Sequence, residues 1–215
     1  MSNTENLVLS YIEELKKVLD VFPVEDFERL VDLMLLAHRN DNAVYAMGNG
    51  GSAASASHFV CDINKGVCGG LPKRIRAMCL NDNVPTVLAY ANDTSYDLIF
   101  VEQLKNFLKP HDVVIAISGS GNSKNVLAAV EYANMLGAIT VGLAGFDGGK
   151  LAQIASMPIV IPVDDMQKTE DMHMILIHML TQILREKLCE TRRPITQVAV
   201  GSVSNGIGKV EQLSL

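Results

Sequence analysis

The apolar positions fall into two rhythms. Residues 4–20 carry Leu7, Leu9, Tyr11, Ile12, Leu15, Val18 and Leu19 at helical spacing, and residues 25–40 carry Phe27, Leu30, Val31, Leu33, Leu35 and Leu36. Pro23 separates these two predicted helices. The rhythm then changes to short continuous apolar runs, at 43–47, 76–80, 112–117, 138–145 and 158–163, each read as a buried strand. Helical patterns lie between and after them: small residues from the Gly-Ser loop to about residue 63, then 85–91, 96–108, 125–137, 149–155 and a long amphipathic stretch over 167–189. Continuous apolar strands alternating with helices predict an α/β fold, with a five-stranded parallel sheet covered on both faces in three layers.

The two leading helices have no evident strand to cover and are candidates for contacts between copies of the chain. Residues 1–190 read as one domain that includes these helices. Residues 191–215, which begin TRRPITQVAV, lack a clear period and are expected to be a frayed tail, with ITQVAV able to dock on a neighbour.

Composition narrows the function classes. The chain of 215 residues has a net charge of −6, 5% aromatics and no tryptophan. A nucleic-acid groove needs a basic face with stacking rings, so direct nucleic-acid binding is not expected. KRIR, from Lys73 to Arg76, is the one basic cluster and reads as a solvated loop. No uninterrupted apolar stretch is long enough for a membrane span. The first residues lack the basic start and apolar centre of a signal peptide, so a cytoplasmic location is expected. Cys61, Cys68, Cys79 and Cys189 form no C-x-x-C pair and are expected to be reduced thiols.

Two loops share one design. VYAMGNGGSAAS and VIAISGSGNSKN both run strand, Gly/Ser turn, helix. In a parallel sheet such turns lie at the carboxyl ends of strands, where ligands bind. Glycine lets the backbone approach an anion, helix N-terminal N–H groups point at it, and serine hydroxyls add hydrogen bonds. The pair therefore predicts a phosphate and polyol cradle. Gly48-x-Gly50-x-x-Ala53 also matches a dinucleotide fingerprint, but the acidic residue expected about 20 positions on is missing; the nearest, Asp82, lies much further along. A dehydrogenase is thus a distant third reading.

GNGGSAASASHF, AND at 91–93, AISGSGNSKNV and MHMILIHML resemble the sugar isomerase (SIS) domain family, and within it the phosphoheptose isomerase group, over about residues 5 to 190. The resemblance implies a five-stranded parallel sheet, a homotetramer with interfacial active sites, and conversion of sedoheptulose 7-phosphate to a heptose 7-phosphate. It implies that Ser52, Ser118, Ser120 and Ser123 hold the phosphate and nearby hydroxyls. Asn49, Gly50, Gly51 and Gly119 shape the cradle, and Asp93 and Glu170 meet substrate. It further implies one zinc ion per subunit on His58, Asp62, Glu170 and His178, with Asp62 the base and His178 the complementary acid or base.

The spacing alone says less. His58 and Asp62, at i and i+4, share a helix face, which suits a metal only weakly, and a lone helical histidine more often packs or hydrogen-bonds. Asp93 alone would serve as a helix or turn cap. His173 lies about 140° round the helix from His178 and is expected to pack between subunits. Several positions depart from the group. Asp62 stands for Glu, Glu170 for Gln, Gly119 for Thr, Gly66 for Arg and Gln167 for Asp. A non-catalytic SIS protein that binds a phosphosugar or a partner protein, like those that assist replication initiation, is therefore the alternative. Convergent acids at 62 and 170 favour the enzyme.

Overall fold

The computed structural model describes residues 2–190; the expected tail with its ITQVAV segment lies outside the described residues. The chain opens with α1 (Asn3–Asp20) and α2 (Val24–Asn40), then β1 (Ala43–Gly48) and α3 (Gly51–Cys61). A π-helical segment, Asp62–Val67, extends α3. Then come β2 (Arg76–Cys79), α4 (Val84–Asp93), a 3-10 turn (Tyr96–Leu98), α5 (Val101–Phe107) and β3 (Val113–Ser118). The last elements are α6 (Lys124–Met135), β4 (Ile139–Ala144), α7 (Gly149–Ile154), β5 (Met157–Val160) and α8 (Met166–Glu190).

The strands form one parallel sheet in the order β2-β1-β3-β4-β5. Every residue of the central strands β1 and β3 is buried, as continuous apolar runs require. Val44, Ala46, Ile115, Ile117 and Leu143 face α2, α3 and α8 on one side. Tyr45, Met47, Val114 and Ala116 face α5, α6 and α7 on the other. The chain leaves β1 for β2 on one flank and reaches β3 on the other. This order reversal opens a crevice at the carboxyl ends of β1 and β3.

Two expected elements differ. The helix expected over 96–108 breaks into the 3-10 turn and α5. Ser95 caps the turn by accepting from the Asp97 N–H at 3.1 Å, and the shift in phase lets the adjacent Ile99 and Phe100 both be fully buried. The small-residue helix does not stop near residue 63. It widens into the π-helical segment, where the Cys68 N–H reaches the Ile63 carbonyl at 2.9 Å.

α1 rests on the domain by few contacts. Val18 packs with Ile161 and Met172. Tyr11 donates to Asp171 at 2.5 Å, which pushes its pKa up to about 12. The buried Lys168 ammonium lies 4.6 Å from the Tyr11 ring centroid and bridges Asp165 (2.6 Å) and Glu14 (3.0 Å). Leu7, Val8, Leu9 and Ile12 remain exposed on this helix. The KRIR cluster is tied locally: Lys73 donates to the Arg39 carbonyl at 2.8 Å, and Arg76 pairs with Asp41.

Candidate active site

The two Gly/Ser loops meet across the β1/β3 crevice, and amides hold them together. Asn49 and Asn125 exchange side-chain hydrogen bonds, 2.8 and 2.9 Å, and the Tyr96 hydroxyl donates to Asn49 at 2.9 Å. Asn81 clamps the end of β1 by accepting from the Gly48 N–H and donating to the Gly48 carbonyl at 2.8 Å. Sequence reasoning missed Asn81, Tyr96 and Asn125. Only Asn125, inside SGNSKN, carried any signal.

Glycine has three distinct uses here. Gly50 has φ +54 and ψ −122, a conformation open to glycine, and this turns the chain into α3. A Cβ on Gly48 would lie 2.7 Å from the Ser52 carbonyl carbon, so the strand end presses directly on α3. A Cβ on Gly51 would strike the Glu170 carboxylate, and one on Gly119 would strike the Met166 sulfur. Ser52 is buried at the start of α3. Ser118 donates to Ser123 at 3.2 Å, and Ser120 accepts from the Asn122 N–H at 3.3 Å. Ser123 is the N-cap of α6, yet its side chain makes no capping hydrogen bond, which leaves first-turn N–H groups open to an anion.

α3 and α8 run side by side in the same direction, and their facing residues form successive rungs. Glu170 lies against Gly51. Seven residues along α3, about 10 Å by helix rise, His58 meets His178. Their Nε2 atoms are 3.0 Å apart, with ring centroids at 5.1 Å and planes at 69°. Asp62, where the helix widens, places Oδ2 3.4 Å from the His58 Nε2. Ligand atoms of His58, Asp62 and His178 all lie within 4.8 Å of one another. A zinc ion with bonds of about 2.0–2.1 Å in a tetrahedron sets its ligand atoms about 3.3 Å apart. The two imidazoles and the carboxylate thus have the donor types and separations for such an ion.

The expected fourth member does not join this group. Glu170 precedes His178 by eight residues, about 12 Å along α8, and its carboxylate faces the first turn of α3. Asp93 ends α4 on the surface, where it accepts from the Asn92 side chain at 2.8 Å. His173 is not between subunits as expected; it is buried inside this chain, 1% exposed. Neither of its ring nitrogens has a hydrogen-bond partner. Burial pushes its pKa down to about 4, weakly opposed by the Ala144 carbonyl.

A central parallel sheet with its switch-point crevice walled by Gly/Ser loops defines the class: an α/β protein built to bind a phosphorylated ligand. The family model described as SIS domain matches residues 10–145, and the chain belongs to that family. It is 39% identical to a phosphoheptose isomerase of Geotalea daltonii over 76% of this chain and 85% of the relative. It is 38% identical to one from Helicobacter pylori, over 80% and 88%. The solved structure of phosphoheptose isomerase GmhA from Neisseria gonorrhoeae superposes with a TM-score of 0.78 at 28% identity, covering 86% of this chain and all of that one.

Proposed function

We propose that the protein is a phosphosugar isomerase that interconverts sedoheptulose 7-phosphate and a heptose 7-phosphate. The observation that carries this reading is the convergence of His58, Asp62 and His178 one rung along the α3/α8 seam from the Gly/Ser loops. The 10 Å step from Gly51 to His58 suits an extended seven-carbon chain with its phosphate at the loops and its carbonyl end at the cluster. The phosphoheptose isomerases among its relatives support the same substrate class.

In this reading Ser52, Ser118, Ser120 and Ser123, with the first-turn N–H groups of α3 and α6, hold the phosphate. Asn49, Gly50, Gly51 and Gly119 shape that cradle, while Glu170 and Asp93 contact sugar hydroxyls. Asp62 takes the proton from C1 of the ketose. The C–H electron pair becomes the C1–C2 double bond and the carbonyl oxygen becomes the enediolate oxygen. His178 moves the proton between the two oxygens, and return of a proton to C2 leaves the aldehyde at C1. His58, Asp62 and His178 would hold zinc, with Glu170 reaching it only after a change of position. Bound zinc supplies a Lewis acid that polarises the sugar oxygens.

The exposed apolar residues of α1 support a homo-oligomer, a tetramer by the family resemblance. No helix among the described residues is long and apolar enough to cross a membrane, and all four cysteines are free; in this reading the protein is a cytoplasmic enzyme of one domain. A non-catalytic role is not favoured, because three groups able to move protons converge. The test is aldose formation from sedoheptulose 7-phosphate by the zinc-supplemented protein. Conversion abolished by Asp62→Ala and by His178→Ala supports the proposal; binding without conversion refutes it.

A further inference from the structure

The α3/α8 seam continues past the His58–Asp62–His178 group. A cavity of about 130 Å³ opens there, lined by Asp62, Gly66, Thr181, Gln182 and Arg185. Gly66 lies within the π-helical segment, yet nothing about its backbone or packing demands glycine. It has no positive φ, and a Cβ at this position would meet nothing within 4 Å. Glycine is also among the poorest helix formers. Its effect here is to leave the cavity without a side chain on the wall nearest Asp62.

Arg185 forms the opposite wall. It stands seven residues beyond His178, so it shares that residue's face of α8 two turns on. Helical side chains lean toward the N-terminus, which on α8 is the direction of His178. Among the described residues it has no hydrogen bond or ion pair, although it shares the cavity with the Asp62 carboxylate. Between them, the Thr181 hydroxyl is already committed to the His178 carbonyl at 3.0 Å. Beside the Gln182 side chain, the cavity thus holds one carboxylate acceptor and one permanently charged, uncommitted fork of donors.

We propose that this cavity is the subsite for the reacting end of the sugar, where Arg185 donates to the C1 and C2 oxygens and holds the charge of the enediolate. The proposal rests on the isomerase reading above. Proton removal neutralises the Asp62 carboxylate and moves its negative charge onto the enediolate oxygen. A donor aimed at that developing charge lowers the barrier. The two oxygens of a cis-enediolate lie in one plane, side by side, and a guanidinium fork matches that arrangement as it matches a carboxylate. The Gly/Ser loops lie on the other side of the His58–Asp62–His178 group, so phosphate binding and enediolate binding involve separate residues.

Steady-state kinetics with sedoheptulose 7-phosphate test this, with inorganic phosphate as a competitive inhibitor that reports on the loops. Arg185→Ala should lower kcat about 100-fold while the phosphate inhibition constant changes less than threefold. Arg185→Lys should recover only part of the loss, because an ammonium cannot make the paired contact. Gly66→Leu, which fills the cavity from the other wall, should lower kcat without lowering Tm. An Arg185→Ala enzyme with kcat within threefold of wild type overturns the proposal, as does a parallel loss of phosphate inhibition. An inactive wild type overturns the isomerase reading and this proposal together.

Discussion

Met166 and Glu170, from the start of α8, occupy the space that side chains at residues 119 and 51 would need. The Thr that the family pattern expects at 119 would have to push the Met166 thioether aside. Gly119→Thr should destabilise the fold by about 1–3 kcal/mol through overpacking, and a second change, Met166→Ala, should restore most of the loss in thermal melts. His173 is a second case in which a neighbour decides the outcome. Its angle from His178 was legible from the sequence, but periodicity cannot tell a face buried in the domain from one buried between subunits. Its pKa is lowered from 6.5 to about 4, so the folded state binds fewer protons than the unfolded state between those values. Its contribution is fully present above about pH 6.5 and is lost as pH falls toward 4. His173→Phe should remove roughly 2 kcal/mol of the stability difference between pH 7.5 and pH 5, read from urea unfolding at both. An unchanged pH slope would contradict this account of the buried ring.

At the scale of elements, the strands were readable because continuous apolar runs have no other comfortable home than a sheet covered on both faces. The parallel arrangement followed from the helices between them. The break at Ile99 and Phe100 and the widening at Asp62 were not readable. Both depend on tertiary demands, two adjacent side chains that must both be buried and a helix that must follow α8. The three-member His58–Asp62–His178 group joins residues 120 positions apart in sequence, and spacing alone indicated only its His58–Asp62 half. One polar residue organises the opposite end of the sheet. Asp112 is buried, and its carboxylate accepts from the Ala43 N–H at 2.8 Å and the Lys109 N–H at 2.9 Å. This fixes the start of β1 beside the start of β3. Asp112→Ala leaves a buried N–H unpaired and should cost about 2 kcal/mol in chemical denaturation, with the spectrum of the folded state unchanged.

Across the whole molecule, α1 is the element least explained by a single copy. Its Leu7, Val8 and Ile12 are 64%, 52% and 43% exposed, while Tyr11, Val18 and the Lys168 bridge hold its other side. Leu7→Lys with Ile12→Lys should shift the sedimentation coefficient toward the monomer while far-UV circular dichroism stays unchanged. A wild type that already sediments as a monomer would refute the oligomer. The central claim concerns chemistry: the seam between α3 and α8 lines up a phosphate cradle and a proton-transfer group on one substrate. Proton NMR in D2O with sedoheptulose 7-phosphate addresses it directly. The account predicts deuterium at C2 of the aldose product and at C1 of recovered ketose, with both signals absent for Asp62→Asn. Aldose formation that persists in Asp62→Asn, or no exchange in a wild-type protein that binds the sugar, would contradict it.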